Sequence, residues 1–163
     1  MANGGTMTRY IALLEDDPRR IGKMKGRCLD RFPHQFVCFE DSRHMIDWLL
    51  NHSEEVDLLS LDHDLISAST GVDLGTGREV VDWICSYNSV ASRFPIVIHS
   101  SNHLASDGME IALIGKGWDV SRVLPYGDLD WIDEGWFPLV RSLLLQLPNN
   151  SKLLTTKLTS STD

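Results

Sequence analysis

The chain has 163 residues, 42% of them hydrophobic and 23% charged, as expected of one soluble globular domain with a single core. Its formal net charge of -8 excludes a broad basic surface, so we expect neither an extended nucleic acid nor an anionic membrane as a partner. The three cysteines have no zinc-type spacing, which favours free thiols in a reducing compartment. No apolar run approaches the roughly 20 residues of a membrane span, and residues 1–7 lack the apolar core of a signal peptide. These features predict a cytoplasmic protein.

Short β-rich runs alternate along the chain with stretches whose apolar residues recur at the helical period. The predicted strands are Tyr10–Leu14, Gln35–Phe39, 57–61, 95–99 and 119–124. The predicted helices begin at Pro18 and at a cap formed by Asp41 or Ser42, and then cover 78–87, 105–114 and 136–147.

Five strands alternating with five helices predict an α/β fold, a doubly wound five-stranded parallel sheet with helices on both faces. The Gly/Ser/Thr-rich segment 67–77 is expected to be a loop. We expect the domain to span 9–147, between a flexible N-terminus (1–8) and a mobile, Ser/Thr/Asn-rich C-terminal tail (148–163).

Three of the predicted strands stop abruptly on polar residues of the kinds that bind metals and phosphate. In a parallel α/β sheet the carboxyl ends of the strands lie along one edge, where ligands bind. This topology would bring into one crevice the side chains of Glu15, Asp16, Asp62, His63, Asp64, His99, Ser100 and Asn102. Such a set suits a divalent cation together with a small phosphate-containing ligand.

The segment Ala12-Leu13-Leu14-Glu15-Asp16-Asp17-Pro18, the pair Leu61-Asp62 and the segment Pro95-Ile96-Val97-Ile98-His99-Ser100 resemble the response-regulator receiver domain. The resemblance covers roughly residues 9–147. It implies that Glu15 and Asp16 bind Mg²⁺, that Asp62 is the phosphoacceptor, and that Ser100 is the hydroxyl residue after strand four. Receivers also carry a lysine after strand five that contacts the phosphoryl group, whereas residues 123–127 contain none.

The additions to the receiver pattern point to a narrower family. Asp62-His63-Asp64-Leu65, the segment 76–83 and His99-Ser100-x-Asn102 are together similar to the cyclic-phosphate-processing receiver domain. That family is proposed to act on cyclic phosphates instead of serving as a phosphorylation switch. The resemblance implies a receiver fold and a metal-dependent phosphoesterase.

The acidic residues are the candidate metal ligands, because carboxylates are hard oxygen ligands that suit Mg²⁺ or Mn²⁺. We predict metal binding by Glu15, Asp16, Asp62 and Asp64, although a purely structural acidic cluster is the alternative. In receivers the position equivalent to Asp64 ligates through its backbone carbonyl. Asp17 precedes Pro18 and fits a helix cap.

The histidines and the residues after strand four complete the candidate site. His63 and His99 are predicted to act with Asp62 in catalysis, as general acid or base, although metal ligation and a structural hydrogen bond remain alternatives. Ser100 and Asn102 can donate hydrogen bonds to phosphate oxygens, and Asn102 can also cap the following helix.

Two other functions stay open from the sequence. The first is a single-domain receiver that is phosphorylated on Asp62 and acts through a protein partner. The second is a non-catalytic pseudo-receiver that binds a partner and keeps only a vestigial pocket.

Overall fold

A computed structural model describes residues 7–86 and 93–148. The predicted flexible N-terminus and mobile tail lie almost entirely outside the described residues, as does Tyr87 at the end of the third predicted helix. No helix in the described ranges is long and apolar enough to cross a membrane.

The core of the molecule is a five-stranded, all-parallel sheet, as the sequence predicts. Its strands are β1 (Tyr10–Leu14), β2 (Gln35–Phe39), β3 (Val56–Leu61), β6 (Ile96–Ile98) and β7 (Val120–Arg122), in the spatial order β2-β1-β3-β6-β7. All six residues of the central strand β3 are buried, as expected of a parallel strand covered on both faces.

Helices cover both faces of the sheet. They are α1 (Pro18–Cys28), α2 (Ser42–His52), α3 (Gly77–Ser86), α4 (His103–Gly115) and α5 (Phe137–Gln146). One face packs on α2, α3 and α4 through side chains such as Met45, Val81 and Met109. The opposite face packs on α1 and α5 through Met24 and Val140.

The predicted caps of the first two helices are confirmed. The Asp17 carboxylate accepts hydrogen bonds from the N–H groups of Arg19 and Arg20 at the start of α1. Asp41, and not Ser42, caps α2. The first cap matters for the site, because it fixes the first turn of α1 directly after β1.

The segment predicted to be a loop contains regular structure, so that prediction is wrong in part. Strands β4 (Asp64–Ile66) and β5 (Asp73–Thr76) form an antiparallel hairpin separate from the main sheet. The N–H of Ser67 donates to the carbonyl of Val72 at 2.8 Å and closes the turn. Strands this short and polar carry no alternating apolar pattern, so only the local pairing reveals them.

The strand order places the topological switch point between β1 and β3. The connections from these two neighbouring strands lead to opposite sides of the sheet, which leaves a crevice at their carboxyl ends. The β4–β5 hairpin follows β3 directly and stands beside this crevice.

Candidate metal and phosphate site

A cleft of about 530 Å³ occupies the crevice at the switch point. The first turn of α1, the carboxyl ends of β3 and β6, and the hairpin all contribute to it. Its lining consists of Asp16, Asp17, Pro18, Arg19, Arg20, Asp62, Asp64, Ile66, Ala68, Ser100 and Ser101. Most of the lining residues are polar or charged, and Ile66 and Ala68 add apolar surface on the hairpin side.

Three carboxylates meet at the cleft. One oxygen each from Glu15, Asp16 and Asp62 lies within 4.8 Å of the other two, close enough to share a single metal ion. Glu15 and Asp16 follow β1, and Asp62 follows β3, so the adjacency of two parallel strands creates the group. Within the described residues, Asp64 is not part of this group.

Glu15 is fully buried beneath the cleft. Its Oε1 accepts hydrogen bonds from the N–H groups of Asp16 and Asp17 at 3.1 and 3.0 Å. Its Oε2 lies 3.3 Å from His99 Nε2 and 3.6 Å from Arg20. Burial acts to raise the pKa of Glu15, but His99, the Asp17 N–H and Arg20 outweigh it, so the pKa is lowered and Glu15 is ionised.

The two carboxyl groups above Glu15 have the opposite shift. Burial, together with the neighbouring charge of Glu15, raises the pKa of Asp62 to about 6. Burial also raises the pKa of Asp16, although its Oδ2 accepts a hydrogen bond from the Ile66 N–H at 2.6 Å. Three crowded acids therefore repel one another, and a cation would relieve that repulsion.

His63, Asp64 and Asn102 form a short hydrogen-bonded chain on the hairpin side of the cleft. His63 Nδ1 lies 2.7 Å from Asp64 Oδ1, and the Asn102 side chain donates to Asp64 Oδ2 at 3.1 Å. Burial acts to raise the pKa of Asp64, but the hydrogen bonds from Asn102 and His63 outweigh it and lower the pKa. An ionised Asp64 accepts from Nδ1–H, which leaves Nε2 of His63 as the basic nitrogen.

His99 lies behind the acidic group and has no exposed surface. Its Nδ1 lies 2.8 Å from Ser60 Oγ, which also accepts a hydrogen bond from the Trp136 indole at 2.9 Å. The His99 ring stacks on Trp131 with their centroids 5.9 Å apart. From behind the acidic group, His99 lies against Glu15 and also acts to lower the pKa of Asp62.

The two residues predicted to bind phosphate have different surroundings. Ser100 lines the cleft, and its Oγ accepts a hydrogen bond from the Asn102 N–H at 3.2 Å. Asn102 caps α4 by accepting from the Ala105 N–H at 3.1 Å, as the alternative predicted, and it does not line the cleft. Its amide reaches Asp64 instead.

The fold therefore gathers all of the predicted site residues at one edge, but only half of them line the cleft. Of these residues, Asp16, Asp62, Asp64 and Ser100 line the cleft. The other predicted site residues lie behind or beside the lining; they are Glu15, His63, His99 and Asn102.

Arg20 and Ser60 belong to the site but were not predicted. Arg20 lines the cleft from the first turn of α1, with its guanidinium 3.9 Å from Asp62 Oδ2. Its position two residues after Pro18 was a usable signal, because the first turn of a helix that follows a strand lies at the ligand-binding edge. Ser60 lies within a buried strand and carries no comparable signal.

This fold, with an acidic group at the ends of β1 and β3, defines a receiver-type α/β protein. The sequence matches the family described as the cyclic-phosphate processing receiver domain over residues 11–114, more than half of the chain. The protein belongs to this family, as its motifs predicted. No curated protein sequence matches significantly.

Solved structures of response regulators are similar to this chain. The phosphorylated cyanobacterial phytochrome response regulator RcpA is 21% identical, with a TM-score of 0.61 over 85% of this chain and 92% of that one. The Mn²⁺-bound response regulator Rcp1 is 19% identical, with a TM-score of 0.60 over 85% and 93%. A receiver domain from Rhodospirillum rubrum is 14% identical, with a TM-score of 0.62 over 86% and 98%. Such identities establish the shared fold alone.

Proposed function

We propose that this protein is a metal-dependent phosphoesterase that opens a cyclic phosphate to a monoester. The observation that carries the proposal is the group formed by Glu15, Asp16 and Asp62 in a cleft of about 530 Å³. The family match adds the expectation of cyclic-phosphate chemistry.

The donor set fits a divalent cation. Oxygen ligands suit Mg²⁺ or Mn²⁺, and Asp16 and Asp62 present carboxylates to the cleft with pKa values raised by burial and by the charge of Glu15. Asp16 and Asp62 would hold the ion, with Glu15 beneath them and Asp64 beside them. When bound, the ion supplies positive charge against the non-bridging oxygens of the phosphate.

His63 is the proposed general base. Its Nδ1 is engaged by Asp64, which holds the ring and leaves Nε2 to take a proton from water. The water oxygen then bonds to phosphorus, one ring P–O bond breaks, and the leaving oxygen gains a proton. One water is consumed and one phosphomonoester is formed.

The other predicted residues are assigned by their position. Ser100 lies in the lining and would donate its hydroxyl hydrogen to a phosphate oxygen. Asn102 would act through Asp64, because its amide holds that carboxylate. His99 is fully buried, so we propose that it positions Glu15 and does not transfer a proton to the substrate.

Phosphorus NMR of a panel of cyclic phosphates, incubated with the protein and Mg²⁺ or Mn²⁺, tests the proposal. We expect metal-dependent conversion to a monoester, which Asp62→Asn abolishes. His63→Ala should lower turnover by about 10²–10⁴-fold. If no member of the panel is converted, the proposed phosphoesterase activity is contradicted.

A phosphorylated receiver is the alternative, favoured by the position of Asp62 at the end of β3 in the lining of the cleft. In that case Asp62 attacks a phosphodonor and becomes an aspartyl phosphate. Mass spectrometry after incubation with a small phosphodonor would detect the added phosphoryl group, about +80 Da, on Asp62. Asp62→Asn would remove it. A pseudo-receiver would give neither the adduct nor turnover.

A further inference from the structure

The cleft contains a cation whose hydrogen-bond donors are not engaged. The Arg20 guanidinium lies 3.6 Å from Glu15 Oε2 and 3.9 Å from both Asp62 Oδ2 and Asp17 Oδ2. Among the described residues, no acceptor lies within hydrogen-bond distance of this guanidinium. Its side chain is 25% exposed and reaches the cleft.

Neighbouring arginines on the same helix differ in this respect. Arg19 donates to Asp128 at 2.9 Å, and Arg27 donates to Asp133 at 2.5 Å. Their donors are used in ion pairs on the surface. Arg20 is instead held by the Trp131 ring, whose centroid is 5.5 Å from the guanidinium carbon.

Packing against Trp131 orients the guanidinium without engaging its N–H groups. A guanidinium presents a planar fork of donors that matches the oxygens of a phosphate. A metal ion on Asp16 and Asp62 would neutralise Asp62, one of the three carboxylates that lie near Arg20. The donors would then be available to an anion in the same cleft.

In the sequence, the loop after β7 supplies no cation that could take this role. Residues 123–127, after β7, contain neither lysine nor arginine, so that loop presents no positive charge to the cleft. Arg20 instead extends into the cleft from α1. The positive charge therefore comes from the helix after β1 and not from the end of the last strand.

We infer that Arg20 is the phosphate-binding cation of this site. The inference rests on the proposed function, because it assigns a partner to the phosphate of that same ligand. Arg20 would donate to two non-bridging oxygens from the α1 side, opposite the hairpin.

The test measures two binding steps separately, with Arg27→Gln as the matched control. Mn²⁺ binding is followed by electron paramagnetic resonance, and inorganic phosphate binding by calorimetry at saturating Mg²⁺. The control removes the same charge from the same helix, at a side chain that is paired with Asp133 and does not line the cleft. Arg20→Lys keeps the charge but loses the planar fork.

We expect Arg20→Gln to weaken phosphate binding roughly 10- to 100-fold, as for the loss of a charged hydrogen-bond partner. Mn²⁺ binding should be unchanged or tighter, because a competing cation is removed from beside Glu15 and Asp62. Arg27→Gln should change phosphate binding by less than about threefold, since a partly exposed charge away from the cleft is screened. Arg20→Lys should be intermediate.

Equal losses of phosphate binding in Arg20→Gln and Arg27→Gln would overturn the inference, since they would reflect net charge alone. Parallel losses of Mn²⁺ and phosphate binding in Arg20→Gln would also overturn it, since Arg20 would then only shape the acidic group. A wild-type protein that binds neither Mn²⁺ nor phosphate would contradict the proposed function itself.

Discussion

Ser60 Oγ lies 2.8 Å from Nδ1 of His99 in the buried interior. Because Trp136 donates to the same hydroxyl oxygen, the Ser60 hydrogen is free to donate to Nδ1. In the neutral imidazole, the remaining hydrogen is then on Nε2, which faces the ionised Glu15. A chain of buried polar groups thus connects the packing of Trp136 to the acidic group.

We predict that Ser60→Ala destabilises the protein by about 2–4 kcal/mol, because it leaves the Trp136 indole N–H and Nδ1 of His99 without a buried partner. Urea unfolding at neutral pH measures the change. Ser106→Ala is the control, since the buried Ser106 hydroxyl has no hydrogen-bond partner within the described part of the chain. Its removal should be neutral or stabilising. Equal effects in the two variants would contradict the role given to Ser60.

We expect substitution of Asp62, in the acidic group, to have the opposite effect on stability. Its pKa is raised to about 6 by burial and by Glu15, so the folded state favours the protonated form. The stability of the metal-free protein should therefore fall as pH rises from about 4 to 6 and stay low above that range. Asp62→Asn removes this loss, and we expect it to stabilise the metal-free protein by about 2–3 kcal/mol at pH 7.5.

Thermal unfolding with and without Mn²⁺ checks this prediction. Wild type should gain stability from Mn²⁺, whereas Asp62→Asn should gain little. Asp64→Asn is the matched control, because the Asp64 side chain is 56% exposed and its pKa is lowered. That variant should not stabilise the metal-free protein. If it stabilises the protein as much as Asp62→Asn does, crowding at the acidic group is not the cause.

A second pH dependence comes from the opposite end of the sheet. Asp57 is hydrogen-bonded by His34 at 2.8 Å and by Arg9 at 2.9 Å. Burial alone would raise the pKa of Asp57, but these two partners outweigh it and hold the pKa at about 2.

Because the pKa of Asp57 is lowered in the folded state, its ionised carboxylate stabilises the fold fully above about pH 4. This stabilisation is lost as the pH falls toward 2. We expect Asp57→Asn to cost about 1–2 kcal/mol at pH 6, after allowance for the solvent screening of the partly exposed Arg9. The difference from wild type should shrink by pH 2. Denaturant unfolding across this range measures it, and a difference independent of pH would exclude the ion pair as its source.

The close approach of α3 to β3 makes Gly77 a position where only hydrogen fits. A Cβ there would lie 1.9 Å from the backbone oxygen of Asp62, and the Gly77 N–H donates to the His63 carbonyl at 2.9 Å. We predict that Gly77→Ala costs about 1–3 kcal/mol through overpacking and weakens Mn²⁺ binding by shifting Asp62.

Gly26→Ala is the contrasting substitution. An added Cβ at this position in α1 meets nothing within 4 Å. We expect it to stabilise the protein by about 0.5–1 kcal/mol through helix propensity and to leave Mn²⁺ binding unchanged. Chemical denaturation and Mn²⁺ titration of both variants separate the two effects. Retention of full Mn²⁺ affinity in Gly77→Ala would show that Asp62 tolerates the shift.

The amino-acid sequence by itself determined the sheet, the helices and the acidic edge. Strands and helices carry local periods of two and 3.6 residues, and polar residues that close an apolar strand can be located without knowing its neighbours. The family motifs added the expectation that Glu15, Asp16 and Asp62 form a metal and phosphate site. These features depend on residues close together in the chain.

Only the tertiary structure decided which groups reach the cleft. Ser60 and His99 are 39 positions apart, and Ser60 and Trp136 are 76 apart, so no local period connects them. Burial separated the two histidines, with His63 beside the cleft and His99 behind Glu15. The packing of Trp131 likewise placed Arg20 over the acidic group. Such contacts arise from the way helices pack on a sheet, and that packing is not encoded in the spacing of any single segment.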